Sequence, residues 1–254
     1  MESWPSGIGC LEYPVLDSTN AEGKRLAFRS NGDTWIFAHK QTDGKGSRGR
    51  TWLADDHNFT ASFLYYPSGT LKQLAHRSFV TSLALFDSFV FAGVEPNRLN
   101  LKWPNDVLLD SKKVSGILLE TSPDSYSKNV ALIIGIGINL FSYPDLNQRQ
   151  TISQIPTCLK SVLFDNTPNA LTMLTYLANS LQNWEKKYNH KGFSYVKEAW
   201  LALTYSLGSK VDVHIRGKRQ KGSFQGITDD GSLILRIDNS LTELSVADVF
   251  FMEP

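Results

Sequence analysis

Residues 44–50 read Gly44-Lys45-Gly46-Ser47-Arg48-Gly49-Arg50, three glycines and three cations in seven positions. Glycine lets the backbone approach a ligand and adopt positive φ, so that successive N–H groups can converge on an anion. Lys45, Arg48 and Arg50 add charge, and hydrogen bonds to charged groups are worth about 1.5–3 kcal/mol each. The chemistry implied is a grip on phosphate or carboxylate. Read alone, the loop is equally compatible with a solvated turn. It also satisfies G-x-G-x-x-G at Gly44, Gly46 and Gly49. A dinucleotide fold needs a helix directly afterwards. Thr51-Trp52-Leu53-Ala54-Asp55-Asp56-His57-Asn58 carries no helical stripe, and no acidic residue ends a second strand in the expected place. That excludes a Rossmann site. The missing Gly-Lys-Ser/Thr ending excludes a P-loop.

A second constellation is Lys102-Trp103-Pro104-Asn105-Asp106, in which a strand is broken by proline and followed by a cation, an indole, an amide and a carboxylate. Asn and Asp form turns readily, yet they can also contact ribose, base or phosphate-bound Mg²⁺. Lys113 falls on the connection before Val114-Ser115-Gly116-Ile117-Leu118-Leu119-Glu120. Gly116 inside that apolar strand implies close approach by a backbone or a ligand, and Gly135 and Gly137 in Gly135-Ile136-Gly137-Ile138-Asn139 are costly unless something must fit against them. Trp52 is placed either to stack on adenine or to join the core.

Several elements must position these groups. An amphipathic helix is expected over residues 18–28, capped by Asp17 or Ser18. Trp35-Ile36-Phe37-Ala38 reads as a buried strand. Phe59, Ala61, Phe63 and Tyr65 have the alternation of a half-buried one. A long helix opens at Thr70, with Thr70 and Gln73 as a capping box. Its core face is Leu71, Leu74, Phe79, Leu83, Phe86 and Val90. Strands are expected at 100–102, 107–109 and 114–120, with Asp110-Ser111-Lys112-Lys113 joining the last two as a hairpin connection. The apolar run 131–138 is a central strand. Thr167-Pro168 starts another helix, with Leu171, Leu174, Leu177, Ala178, Leu181 and Trp184 facing the core. A shorter helix covers 195–203. After Leu207-Gly208, strands at 211–215, 223–227, 233–237 and 241–246, with a turn at Asp229-Asp230-Gly231, make a small β-barrel or sandwich appended to an α+β domain. The division falls as residues 1–204 and 205–254.

Composition narrows the function classes. The 254 residues carry a formal net charge of +1, so no global basic field recruits nucleic acid. Two cysteines, Cys10 and Cys158, form neither a disulfide framework nor a metal spacing, which suits a reducing cytoplasm. The five histidines are scattered, and no metal site is expected. No signal peptide or membrane span is evident.

Taken in order, Asp17-Ser18-Thr19-Asn20, Gln41 with residues 44–52, Lys102–Asp106, Lys113 with Gly116-Ile117-Leu118-Leu119-Glu120, and residues 135–139 resemble a biotin–protein ligase across nearly the whole chain. The resemblance implies a class II aminoacyl-tRNA-synthetase-like mixed sheet flanked by helices, plus an SH3-like C-terminal barrel. It implies that biotin and ATP, with Mg²⁺, form biotinyl-5′-AMP. Biotin then passes to a lysine of the biotin carboxyl carrier protein of acetyl-CoA carboxylase. Lys113, Arg48 and Arg50 would be catalytic. Ser18, Thr19, Asn20, Gln41, Gly44, Lys45, Gly46, Ser47, Lys113 and Gly116 would bind biotin. Arg48, Arg50, Trp52, Asn105, Asp106 and Asn139 would bind ATP. Bacterial members often have arginine at the second and fourth loop positions, where this chain has Lys45 and Ser47. Lysine keeps the charge but loses the bidentate fork. About sixteen residues precede Asp17, too few for a repressor's helix-turn-helix, so no DNA binding is expected. A homodimer is compatible with the pattern.

Two other readings remain at this stage. A lipoate or octanoate ligase of the same superfamily explains the β-rich core and a key lysine, but not residues 102–106 beside the basic loop. A non-catalytic binding module would use the C-terminal domain and its basic hairpin Arg216-Gly217-Lys218-Arg219-Gln220-Lys221.

Overall fold

A computed structural model describes residues 3–27, 29, 32–53, 55, 57–123, 130–144, 155–205, 207–215, 218–245 and 249–252. The chain begins with β1 (Gly9–Leu16), α1 (Thr19–Leu26), β2 (Thr34–Gln41) and β3 (Phe59–Tyr65). It continues through α2 (Leu71–Ala75), α3 (Arg77–Phe91), β4 (Leu99–Lys102), β5 (Asp106–Leu109), β6 (Lys112–Pro123) and β7 (Val130–Ile138). Helices α4 (Lys160–Leu163) and α5 (Ala170–Ala202) follow. Strands β8 (Lys210–Ile215), β9 (Lys218–Ile227), β10 (Leu233–Ile237), β11 (Ser240–Leu244) and β12 (Val249–Met252) complete it.

The first seven strands form one mixed sheet in the order β1-β2-β3-β7-β6-β5-β4. Only the β1–β2 pair in it is parallel among the described residues. The apolar run of β7 takes the central position, where both faces of a strand are covered. Leu132, Ile134, Ile136 and Ile138 join the main core, which also holds residues of α3 and α5. Ile133 turns the other way, joining Ala27, Ile36, Leu64 and Ala131 in a second, smaller cluster beside α1. The last five strands form a separate antiparallel sheet, β11-β10-β9-β8-β12. The α+β class and the small C-terminal β-unit agree with the sequence reading.

Several local expectations need correction. β1 carries no sequence signal because it is an edge strand with most residues exposed. β3 is buried on both faces, since it lies between β2 and β7, and is not half-buried. The capping box at Thr70 and Gln73 is present, but the long helix divides at His76 into α2 and α3. Leu71 is 65% exposed and leaves the core face. The turn between β5 and β6 needs only Asp110 and Ser111, both at positive φ (50° and 63°), so Lys112 and Lys113 already belong to β6. α5 starts at Ala170 because Asn169, accepting from Thr172 N at 2.8 Å, caps it in place of Thr167-Pro168. Leu171 is 42% exposed there, whereas Leu174, Leu177, Ala178, Leu181 and Trp184 are buried as expected. The shorter helix at 195–203 is the continuation of α5 past a break at Gly192 (φ 77°). Arg216 and Gly217, and the side chains of Lys218 and Arg219 in the basic hairpin, lie outside the described residues.

A buried ion pair ties the helical layer together. Arg77 of α3 donates from Nε to Glu185 Oε1 at 3.1 Å and from Nη2 to Oε2 at 3.2 Å, and Tyr65 Oη donates to Oε2 at 3.1 Å. Their side chains are 2% and 9% exposed. The guanidinium lies 4.1 Å from the Tyr188 ring centroid. Burial pushes the Tyr65 phenol up to about 12, and the neighbouring Glu185 charge acts the same way. Glu185→Ala leaves Arg77 buried without its counter-charge, a change that typically costs about 3–5 kcal/mol. Urea unfolding of that variant is expected to show a loss of this size; a loss below about 1 kcal/mol would mean that water reaches Arg77.

Candidate active site

The site lies on the α1 side of the large sheet, and its floor is made of glycines. Along β7 the residues facing α1 alternate with the core residues, and at Gly135 and Gly137 this face has no side chain. Gly116 of β6 is paired with Gly137. A β-carbon on Gly135 would run into the Asn20 side chain, and one on Gly137 into the Trp52 indole. One on Gly116 would lie 3.1 Å from Lys113 Nζ and 3.3 Å from Trp52. Strand glycine is justified here by close approach, as the sequence implied.

One end of the pocket is polar. Ser18 caps α1 and accepts from Ala21 N at 3.4 Å. Asp17 accepts from Ser18 N at 2.7 Å and from the two terminal nitrogens of Arg25 at 2.8 and 3.0 Å. The Arg25 hydrogen bonds hold the Asp17 carboxyl down at about 2. Gln41, at the end of β2, accepts from Thr19 N at 2.7 Å. Asn20 donates to Glu120 at 2.9 Å, and Lys24 donates to the same carboxylate at 2.5 Å. Ser62 of β3 stands between Thr19 and Asn20.

The glycine loop forms the opposite wall and closes upon itself. Gly46 N donates to Arg50 O at 2.7 Å and Trp52 N to Gly44 O at 2.8 Å, with a bridge between Lys45 and Thr51. The Gly46 and Trp52 amides thus serve loop closure. Arg50 folds back on Ser47, donating to its hydroxyl at 2.9 Å and its carbonyl at 3.2 Å. Gly44 is buried beneath the loop, where a β-carbon would meet the Trp52 carbonyl. The Arg48 side chain lies outside the described residues.

Lys113 joins the two walls. A register shift between β5 and β6 sets Val107 opposite Ser115 but Leu108 opposite Lys113. The Lys113 ammonium forms an ion pair with Asp106 and lies 5.8 Å from the Trp52 ring centroid. Asn105 donates to Ile117 O at 2.5 Å. Trp103 is buried, and its indole donates to Gly231 O at 3.0 Å, so the C-terminal sheet braces the 102–106 turn. Asn139 is 3% exposed and donates to Thr157 O at 2.9 Å.

Ser18, Thr19, Asn20, Gln41, Lys45, Gly46, Ser47, Arg50, Trp52, Asn105, Lys113, Gly116 and Asn139 thus line one pocket. Asp106 stands behind Lys113. Sequence reading missed Ser62, Pro144 and Pro156, and gave Glu120 no role. Ser62 had a usable signal: with Thr60 it is one of two small polar residues inside a strand that is otherwise apolar or aromatic. Pro144 and Pro156, which also line the pocket, had none, because they arrive from distant segments. Among the described residues no group of three or more His, Cys, Asp or Glu could hold a metal, and no helix is long and apolar enough to cross a membrane.

Comparison with known proteins places this geometry. Residues 13–139 match the biotin/lipoate A/B protein ligase family, and residues 206–252 match the biotin protein ligase C-terminal domain. The biotin–[acetyl-CoA-carboxylase] ligase of Paracoccus denitrificans is 36% identical over 92% of this chain and 97% of its own. The bifunctional ligase/repressor BirA of Bacillus subtilis is 27% identical over 96% of this chain and 74% of its own. The biotin protein ligase of Aquifex aeolicus, solved in complex with biotin and ATP, superposes with a TM-score of 0.79 at 25% identity, covering 97% of this chain and 99% of that one. The chain therefore belongs to the biotin/lipoate A/B protein ligase family.

Two measurements test the site's construction. Gly137→Ala is expected to cost about 1–3 kcal/mol in urea unfolding through overpacking against Trp52. At Gly32, where a β-carbon meets nothing within 4 Å, the same change should have almost no effect; equal losses would refute the floor argument. Asp17 supplies a pH signature. Its folded-state value of about 2 lies below the ordinary 3.8, so its stabilisation is full above the ordinary value and is lost as pH falls through the folded one. The stability difference between wild type and Asp17→Asn should be constant near neutrality, below about 1 kcal/mol because the pair is exposed. It should vanish between about pH 4 and 2, and a difference independent of pH would contradict the pairing.

Proposed function

We propose that this pocket activates biotin with ATP and transfers it to a carrier-protein lysine. The biotin carboxylate attacks the α-phosphorus of ATP, forming an acyl–phosphate bond as the bond to pyrophosphate breaks. The carrier lysine amine then attacks the acyl carbon, an amide forms, AMP leaves, and the amine gives up a proton. The observation that carries this reading is convergence: Lys113, the cationic glycine loop and the Thr19–Gln41 end meet over one glycine floor.

Each residue then has a task. Ser18, Thr19, Asn20 and Gln41 hold the ring end of biotin. Gly116 lets the ligand lie against bare backbone, and Gly135 and Gly137 make room for Asn20 and Trp52. Lys113 draws the carboxylate and the α-phosphate together and offsets their repulsion, the main electrostatic barrier to the first step. Lys45, Arg48 and Arg50 hold phosphate, and Gly44, Gly46 and Ser47 shape the loop that carries them. Trp52 Nε1 is buried with no hydrogen-bond partner among the described residues, which leaves a donor for a ligand oxygen. Asn105, Asp106 and Asn139 flank the nucleotide side. Asp106 is the nearby carboxylate that would meet Mg²⁺ carried by the ATP phosphates.

Residues 1–204 would contain the biotin and ATP sites and residues 205–254 the bracing β-domain. The acceptor is the biotin carboxyl carrier protein of acetyl-CoA carboxylase; the name of the Paracoccus relative gives acetyl-CoA carboxylase. The cytoplasm is the compartment where ATP and that acceptor coexist. Nucleic acid and membrane have no part in the reaction, and a homodimer would leave the chemistry unchanged.

Pyrophosphate exchange into ATP is expected to depend on biotin and not on lipoate; dependence on lipoate alone would transfer the reading to the other branch of the family. Lys113→Ala should lower biotin-dependent exchange by on the order of 10²–10³-fold while thermal unfolding stays cooperative. Near-normal exchange would remove Lys113 from this role.

A further inference from the structure

Two walls of the pocket are tied together by a side chain that does not line it. Asn58 stands directly before β3 and is 2% exposed. Its Oδ1 accepts from three consecutive backbone amides, Leu140 N at 2.9 Å, Phe141 N at 3.1 Å and Ser142 N at 3.3 Å. Its Nδ2 donates to Ser142 O at 3.1 Å and to Ser142 Oγ at 3.2 Å. Both ends of the Asn58 amide are thus committed to residues 140–142. Asp55 closes the clasp, accepting from the Ser142 hydroxyl at 2.6 Å and, through its carbonyl, from Asn58 N at 2.9 Å.

The two segments so joined both lead into the pocket. On one side is the exit of the glycine loop, where Trp52 and Leu53 line the pocket before the chain reaches Asn58. On the other side Asn139 and Pro144 line it, just before and just after the three amides. Residues 140–144 lie past the end of β7 and have no strand pairing among the described residues. Leu140 O accepts from Lys160 N at 2.9 Å, and Phe141 O accepts from the Cys158 thiol, a weak donor, at 3.5 Å. Their course past Leu140 therefore rests on Asn58. Lys113 does not depend on it, since pairing with β5 and the Asp106 carboxylate hold Lys113 in place. Nor does the ring end: the hydrogen bonds of Ser18, Thr19, Asn20 and Gln41 run to α1, β2, β3 and β6.

We propose that Asn58 is a positioning residue for the nucleotide side of the pocket. It fixes the separation between the exit of the glycine loop and the 139–144 wall, and so the width into which ATP must fit. The inference rests on the biotin and ATP reading and deepens it. Without Asn58 three amides lose their acceptor and turn to water, and the wall leaves the loop that faces it.

Two substitutions and two substrates test this. Asn58→Ala removes both ends of the clasp. Asn58→Asp keeps an acceptor for the three amides and removes only the Nδ2 donor. Biotin-dependent pyrophosphate exchange at varied ATP reads the nucleotide side, and isothermal titration with biotin in the absence of ATP reads the ring end. In Asn58→Ala the KM for ATP should rise about ten- to a hundredfold, the effect of a displaced wall. Biotin affinity should change less than about twofold, because the ring end shares no partner with Asn58. Asn58→Asp should bring the KM back to within about fivefold of wild type, since a carboxylate accepts backbone amides well. An unchanged KM for ATP in Asn58→Ala would overturn the proposal. Equal losses for ATP and biotin would overturn it too, by showing general loosening, and so would an Asp variant no better than the Ala one. If Asn58→Ala does not fold, Ser142→Ala decides, because it removes the hydroxyl shared by Asn58 and Asp55. A raised KM for ATP at wild-type biotin affinity there supports the proposal, and a wild-type KM overturns it. A wild-type protein without biotin-dependent exchange refutes the functional reading itself, an outcome distinct from any of these.

Discussion

Every second residue of β7 faces α1, and at Gly135 and Gly137 that face has no side chain. The central strand of a sheet is ordinarily covered on both sides. Here one side is covered as far as Ile133 and then opened. The rest of the site is arranged around this opening: α1 covers the strand up to its edge, the Trp52 indole lies on Gly137, and Asn20 fills the space over Gly135. A side chain at either glycine would displace a residue that lines the pocket, so the constraint is steric before it is chemical.

The charges follow from that geometry. The register shift at the start of β6 brings Lys113 over Gly116, where Asp106 pairs with it. A cation in such a place is costly without a partner. Asp106 offsets that cost in the free protein, and an arriving anion meets an ammonium already held by the strand. Placement on a strand fixes such a group more closely than placement on a loop.

The C-terminal sheet belongs to this arrangement through hydrogen bonds and ion pairs. The turn following β9 reaches back to the large sheet. Gly231 accepts from the Trp103 indole at 3.0 Å, Asp230 pairs with Lys72 at 2.6 Å, and Asp229 pairs with Lys197 at 2.6 Å. The exposed ion pairs contribute little individually. The buried indole bond matters more, because it fixes the residue next to Pro104 and so the turn that carries Asn105 and Asp106.

The sequence by itself determined the core elements and most of the pocket lining. The β7 run, the capped α1, the Thr70 capping box and the apolar stripe of α5 are written in local periodicity and capping chemistry, which act over a few residues. The glycine loop, Lys113 and Gly116 were legible because their residue types are costly or unusual where they stand. Tertiary structure alone decided the rest. β1 and β12 became strands through pairing with distant partners, not through their own pattern. Leu71 and Leu171 lost their core positions when the helix starts were set by local caps and breaks. Ser62 and Glu120 acquired a role only when β3, β6 and α1 brought them to one hydrogen-bonded chain. Local propensity is encoded within a few residues, but that chain links partners up to 100 positions apart in sequence, and only the folded sheet brings them into contact.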